Sequence, residues 1–228
     1  MTAIELTPVW LSLRLAAVTT GCLLVIATPL AWWLARTQAR VRPLIEAVTA
    51  MPLVLPPTVL GFYLLTFLSP AAPIGQFWSQ LTGDTLVFSF SGLVVASLFY
   101  SLPFAVQPLQ AAFAAVGPEP LEAAATLGAS PLDQFLRVAS PMSLRGYLVA
   151  AVLVFAHTIG EFGVVLMVGG NIPGRTRVLS IAIYEHVETL DYAAAQTLSL
   201  GLLTFSFLAL VFVYASNRNG LLARGRQP

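Results

Sequence analysis

The sequence predicts an all-α membrane protein: a five-helix transmembrane bundle in a single domain spanning residues 1–228. Three observations predict it. Hydrophobic residues make up 57% of the chain and charged residues only 9%, whereas a soluble domain carries about 25% charged residues. Apolar stretches cover about 10–35, 48–68, 86–107, 147–168 and 198–216, and roughly 20 such residues let a helix cross the hydrocarbon core. The basic residues other than Arg14 lie outside these stretches. Backbone groups in lipid must be satisfied internally, so long apolar runs become helices, while barrel strands would be short and alternating.

The first span holds Arg14 near one end, Pro29 towards the other, and the adjacent Trp32 and Trp33. The tryptophans read as an interfacial belt, which assigns this helix to the periphery. The second span is interrupted by Pro52, Pro56 and Pro57, with Gly61 following; the third carries Pro103 and is expected to end at Pro108. Proline removes a donor and frees carbonyls, which in a membrane need protein or water nearby. Pro56, Pro57, Thr58 and Ser101 are therefore candidate pathway or gate residues, with an ordinary packing kink as the alternative.

The fourth span contains His157 and Glu161, the latter the only acidic residue deep in a span. An unpaired charge there costs about 2.5–3.5 kcal/mol on insertion scales. His157 lies one turn earlier, so a His157–Glu161 hydrogen bond is expected. It serves either as a gate latch flanked by Gly160 and Gly163 or as a packing bond. A carboxylate is a poor ligand for an anion, and one His with one Glu supplies too few ligands for a metal. The fifth span has no acidic, basic or histidine side chain.

All eleven basic residues are arginine. Eight of them (Arg36, Arg40, Arg42, Arg137, Arg145, Arg218, Arg224 and Arg226) fall on one side, against Arg14, Arg175 and Arg177 on the other. The positive-inside bias puts the N-terminus outside and the C-terminus in the cytoplasm. Without lysine the chain lacks the residue a P-loop needs, so it is no ATPase itself. A net charge of +1 argues against a nucleic-acid partner, and the single cysteine, Cys22, excludes an intrachain disulfide. Residues 1–8 have no Lys or Arg, so no cleavable signal peptide is expected. A membrane-embedded enzyme would need clustered nucleophile, base or metal ligands, and two histidines and one cysteine do not supply them.

The cytoplasmic segment of about 109–145 predicts two short helices. The first runs from Glu119 to Leu127 and stops at Gly128, which accepts a left-handed cap. The second starts with Ser130 as N-cap, Pro131 in the first helical position and Asp133 in the first turn. Leu121, Ala124, Ala125 and Leu127 make an apolar face opposite Glu122 that needs a protein partner or the membrane surface.

Glu122, Ala123 and Ala124, with Gly128 six residues after the glutamate and then Phe135, Val138 and Pro141, resemble the EAA loop of bacterial ABC importer permeases. Ser140 stands where that family often has leucine. The resemblance implies a type I permease fold whose loop forms a coupling helix docking into a separate ATPase. Glu122, Ala123, Ala124 and Gly128 would be its coupling residues. A narrower resemblance spans MPLVLPPTVLGFYLL (51–65), YSLPFAVQPLQAAF (100–113), LEAAATLGAS (121–130), FAHTIGEFGVVLMVGGNIPGRTR (155–177) and LSIAIYEHVE (179–188), which look like molybdate importer permeases. The GEFG run, residues 160–163, is also similar to sulfate permeases. What this implies is a multi-pass protein of the bacterial inner membrane. It would work as a homodimer with two ATPase subunits, which hold ATP and magnesium, and an external oxyanion-binding protein. The chain itself would bind no cofactor. Tungstate, sulfate or thiosulfate are the alternative substrates. Arg175 and Arg177 are expected to steer the anion or touch the binding protein, or to be a solvated outer loop.

Overall fold

A computed structural model describes residues 6–224, all in helices and the turns between them; Arg226, one of the counted arginines, lies outside the described residues. Helix α1 (Thr7–Arg36) buries Leu11, Leu15, Leu23, Ala27, Ala31 and Leu34 along one stripe. This is the spacing of a single helical face. The stripe packs on α6 and α10, while Val25 and Ile26 on the other side are exposed. The small Ala27 and Ala31 let neighbouring backbones approach closely, the usual way helices pack in lipid.

The second span is two helices. α2 (Arg42–Ala50) and a 3₁₀ turn at Met51–Leu53 are followed by α3 (Pro57–Leu68), and the two halves are bent by 107°. The cause is local. Pro56 must stay extended because a proline follows it, and its φ of −54° and ψ of 135° are those of that state. α4 (Pro73–Thr82), which the hydropathy pattern does not announce, is capped by Gly83 in the left-handed region.

The third span starts later than expected, at Phe90, because Ser89 caps α5 (Phe90–Tyr100) by accepting the Gly92 N–H at 3.1 Å. It bends by 43° at Ser101 into α6 (Leu102–Val116). Pro103 sits in the first turn of α6, where no donor is needed. Pro108 does not end the span as expected. One proline forfeits one backbone bond, and the buried Leu109 and Phe113 carry the helix on to Val116.

The loop beyond holds α7 (Glu119–Thr126), α8 (Pro131–Asp133), a π-helical turn at Gln134–Ala139 and α9 (Ser140–Met142). The fourth span is α10 (Leu144–Gly160), a break at Glu161 and Phe162, and α11 (Gly163–Gly169). α12 (Leu179–Glu188) and α13 (Tyr192–Arg224) complete the chain. By length and composition, two of the described helices, α1 and α13 over Tyr192–Ala215, can cross a membrane alone. Up to five crossings result if the bent pairs Arg42–Leu53 with Pro57–Leu68, Phe90–Tyr100 with Leu102–Val116, and Pro131–Met142 with Leu144–Gly160 each count as one.

Two larger cores and a smaller one, in which Ala16, Ile159 and Leu179 meet Leu198, Leu202 and Phe205 of α13, hold the bundle. The first of the larger cores joins Leu11 and Leu15 of α1 to Leu64 and Leu68 of α3, Leu93 of α5, and Val164, Val165 and Val168 of α11. The second joins Leu23 to Leu34 of α1 with Leu109 and Phe113 of α6 and Val154 of α10. Trp32 belongs to this second core rather than to a belt. Its ring centroid lies 5.3 Å from those of both Phe113 and Phe135, and the Arg36 guanidinium covers it at 4.8 Å.

Candidate functional site: coupling loop and broken spans

The loop after the third span is built as its residues demand. Gly128 has φ of +85°. Its N–H donates to the Ala125 carbonyl at 2.9 Å, and the Ala129 N–H donates to the Ala124 carbonyl at 3.0 Å. This pair of bonds is a Schellman cap. Ser130 Oγ accepts the Asp133 N–H at 3.2 Å and donates to the Asp133 carboxylate at 2.6 Å. That bond, with Arg137 nearby, holds the Asp133 carboxyl below the usual carboxylate range.

The apolar face expected on this loop is divided. Leu121 turns inward and is buried against the second core, since α7 must anchor to something within its own chain. Leu127 points the other way and is 88% exposed. Leu132 and Leu136 are exposed as well, and so are Glu122 and Ala123. Of the expected face, Ala125 and Leu127 are exposed, Ala124 is half-buried and Leu121 is buried.

The candidate pathway residues separate into two groups. Pro56, Pro57 and Thr58 lie at the start of α3 and are exposed. Ser101 is fully buried at the α5–α6 bend. Its hydroxyl lies 3.1 Å from His157 Nδ1 and 3.2 Å from Thr158 Oγ1. Phe104 stacks on the His157 ring at 4.0 Å.

The expected His157–Glu161 side-chain bond does not form. The helix stops at Gly160, so Glu161 leaves the face that His157 occupies. Instead Glu161 Oε1 accepts the Val164 N–H at 3.0 Å, and the Glu161 carbonyl accepts the Ser180 hydroxyl at 2.6 Å. Ser180 carried no signal in the sequence, nor did Ser12, whose hydroxyl accepts the Leu179 N–H at 2.7 Å and so caps α12 from another helix. Such partners are far apart in sequence and leave no local pattern.

Both arginines of the loop before α12 are paired. Arg175 reaches Asp84 at 3.0 Å, and Arg177 reaches Glu185 at 3.0 Å and Asn171 Oδ1 at 2.7 Å.

The family of binding-protein-dependent transport system inner membrane components matches residues 27–219. The chain belongs to this family. It is 56% identical over 214 residues to a molybdenum transport system permease protein of Azotobacter vinelandii, covering 94% of this chain and 95% of that one. The molybdenum permease of Escherichia coli K12 is 36% identical, covering 70% of this chain and 69% of that one. A sulfate permease of Salmonella typhimurium is 35% identical, covering 79% and 65%. Among solved structures, the fold matches the inward-facing MetNI methionine ABC transporter with a TM-score of 0.68 at 18% identity, over 93% of this chain and 96% of that one. A bacterial alginate ABC transporter matches with a TM-score of 0.71 at 17% identity, over 96% and 78%. As an inner membrane component of this family, the chain has a type I permease fold.

Proposed function

We propose that two copies of this chain form the transmembrane pathway of an ATP-driven importer for a tetrahedral oxyanion, molybdate foremost. The observation that carries this reading is the 56% identity, over nearly the whole of both chains, to a molybdenum permease. The coupling loop adds to it. Leu127 stands 88% exposed just before the Schellman glycine, and with the exposed Leu132 and Leu136 it gives this loop apolar surface suited to a partner. That partner is a cytoplasmic ABC ATPase, one for each copy, which holds ATP and magnesium.

The arginine bias supports a cytoplasmic coupling loop and C-terminus and an external N-terminus. Five spans are too few to enclose a wide anion path, which favours a symmetric pair. High affinity for the anion belongs to an external binding protein, since a pathway that held a dianion tightly would release it slowly. The relatedness to a sulfate permease keeps sulfate as the second reading.

The deciding experiment is uptake of radiolabelled molybdate into proteoliposomes holding this chain, its ATPase and its external binding protein. ATP-dependent uptake that excess tungstate suppresses and excess sulfate leaves unchanged supports molybdate. Uptake of sulfate but not of molybdate overturns it.

A further inference from the structure

Glycine marks two tight contacts between α3 and α11. A Cβ added at Gly61 would lie 2.8 Å from the Met167 Cβ, and one added at Gly163 would lie 2.7 Å from the Pro57 Cβ. The two helices therefore lie side by side with their N-terminal ends together, packed too closely to slide independently. Each begins at a break. α3 follows the extended Pro56, and α11 follows Glu161 and Phe162. The two breaks thus adjoin one another, and no helical hydrogen-bond ladder runs through either.

What holds the second break is specific. On one side, α10 is tied to the α5–α6 bend through Thr158, His157 and Ser101. On the other, the first turn of α11 is closed by the Glu161 carboxylate on the Val164 N–H. Ser180 fixes the Glu161 backbone between them. Glu161 is bonded both to the first turn of α11 and to α12; the far end of α11 is tied separately, by the Phe88 N–H on the Val168 carbonyl at 2.9 Å.

We infer that Glu161 is a positioning residue for transport: its carboxylate caps α11 and sets the pivot of a two-helix block, α3 with α11, that turns about the two adjoining breaks. The block carries an open row of α3, comprising Thr58, Val59, Phe62, Tyr63, Thr66 and Phe67, all exposed in the single chain. Turning it changes what that row presents. The capping role needs an acceptor oxygen and not a charge. The inference rests on the reading of the chain as the permease of an ATP-driven transporter.

The test uses the reconstituted complex with its ATPase and compares Glu161→Ala, Glu161→Gln and Ser180→Ala. Two readouts need no anion. One is amide hydrogen exchange of segment 160–166. The other is labelling of Thr58→Cys by a water-soluble thiol reagent, without nucleotide and with ATP plus vanadate. Losing one net hydrogen bond raises exchange of the α11 first turn about tenfold. Glu161→Ala should show that rise and lose the nucleotide-dependent change in labelling, with ATPase assembly retained. Glu161→Gln, whose amide oxygen accepts the same bond, should restore both readouts. Ser180→Ala should weaken the nucleotide response without raising exchange at Val164. If Glu161→Gln fails as fully as Glu161→Ala, charge rather than capping matters and the inference falls. It also falls if Glu161→Ala keeps the normal nucleotide response. Should Glu161→Ala not accumulate, Gly61→Ala tests the block instead: prising α3 from α11 must abolish the labelling change, and an unaltered change overturns the inference. Because neither readout involves the anion, a wrong substrate assignment shows itself separately, as absent molybdate uptake with both readouts intact.

Discussion

The Ser101 hydroxyl lies 3.1 Å from His157 Nδ1, joining the bend of the third span to the last turn of α10 across 56 residues of sequence. The same hydroxyl meets Thr158 at 3.2 Å, so one small side chain satisfies two buried polar groups. Ser101→Ala removes it and leaves both short of a partner. Leaving a buried polar group unsatisfied costs about 1–3 kcal/mol. The variant should insert normally but unfold at a lower temperature in detergent, read by a thermal-shift or tryptophan-fluorescence melt. An unchanged melt would show that water replaces the hydroxyl.

Gly146 faces α6 with no room to spare. A Cβ there would lie 2.3 Å from the Ala112 Cβ and 3.3 Å from the Pro108 carbonyl oxygen. Gly146→Val should drive α10 from α6, and overpacking a dense core costs about 1–3 kcal/mol. Ala112→Gly in the same chain should recover part of the loss, measured by the same melt. Additive effects of the two changes would refute the contact.

Much of this architecture is legible in the sequence, for reasons particular residues make plain. The spans show because lipid tolerates so few charges, and the break in the second span shows its cause in Pro56 and Pro57. The caps of the coupling loop are legible because Gly128, Ser130 and Pro131 each favour one backbone state. The break in the fourth span is not legible as a break. No proline stands there, and apolar residues continue on both sides of Glu161. Ser101, which reads as a pathway residue beside Pro103, is buried because its partners His157 and Thr158 come from another span. Trp32 likewise reads as an interfacial residue until Phe113 and Phe135 close on it.

The coupling loop should be sensitive to acid in a defined direction. The Ser130 hydrogen bond, then Arg137, lower the Asp133 pKa in the folded loop. A carboxylate lowered in this way stabilises the fold above its unfolded value, and that contribution is lost as pH falls through the folded value, below about pH 4. Amide exchange at the start of α8 should rise as pH is lowered through that window, after correction for intrinsic rates. Asp133→Asn should remove most of that dependence. A dependence unchanged in Asp133→Asn would place the titrating group elsewhere.

Reporter fusions test the orientation inferred from the arginines. A fusion at Asn219 should read cytoplasmic, and fusions near Asp84 or Gly174 should read external. Asp84 and Gly174 belong on the same side, because Arg175 pairs with Asp84. Fusions that placed those two sites on opposite sides would break the five-span arrangement itself, whereas uniform inversion would overturn only its direction.

The coupling loop gives the prediction with the clearest physical cause. Gly128 holds φ of +85°, and its two neighbouring backbone bonds close the end of α7. A left-handed conformation costs an ordinary residue roughly 1–2 kcal/mol, and a β-branched one more. A Cβ at Gly128 meets nothing within 4 Å, so the penalty of Gly128→Val is backbone strain and not a clash. The helix should therefore lose its cap while every span stays intact. Leu127, one residue before the cap, would no longer be held in place for a partner, and Glu122 would shift with it. Membrane abundance should stay near normal, while co-purification of the ATPase and transport both fall. Gly128→Asn, which tolerates the left-handed region better, should fall between the two. If Gly128→Val binds the ATPase and transports at the unmodified rate, the loop does not couple ATP to transport.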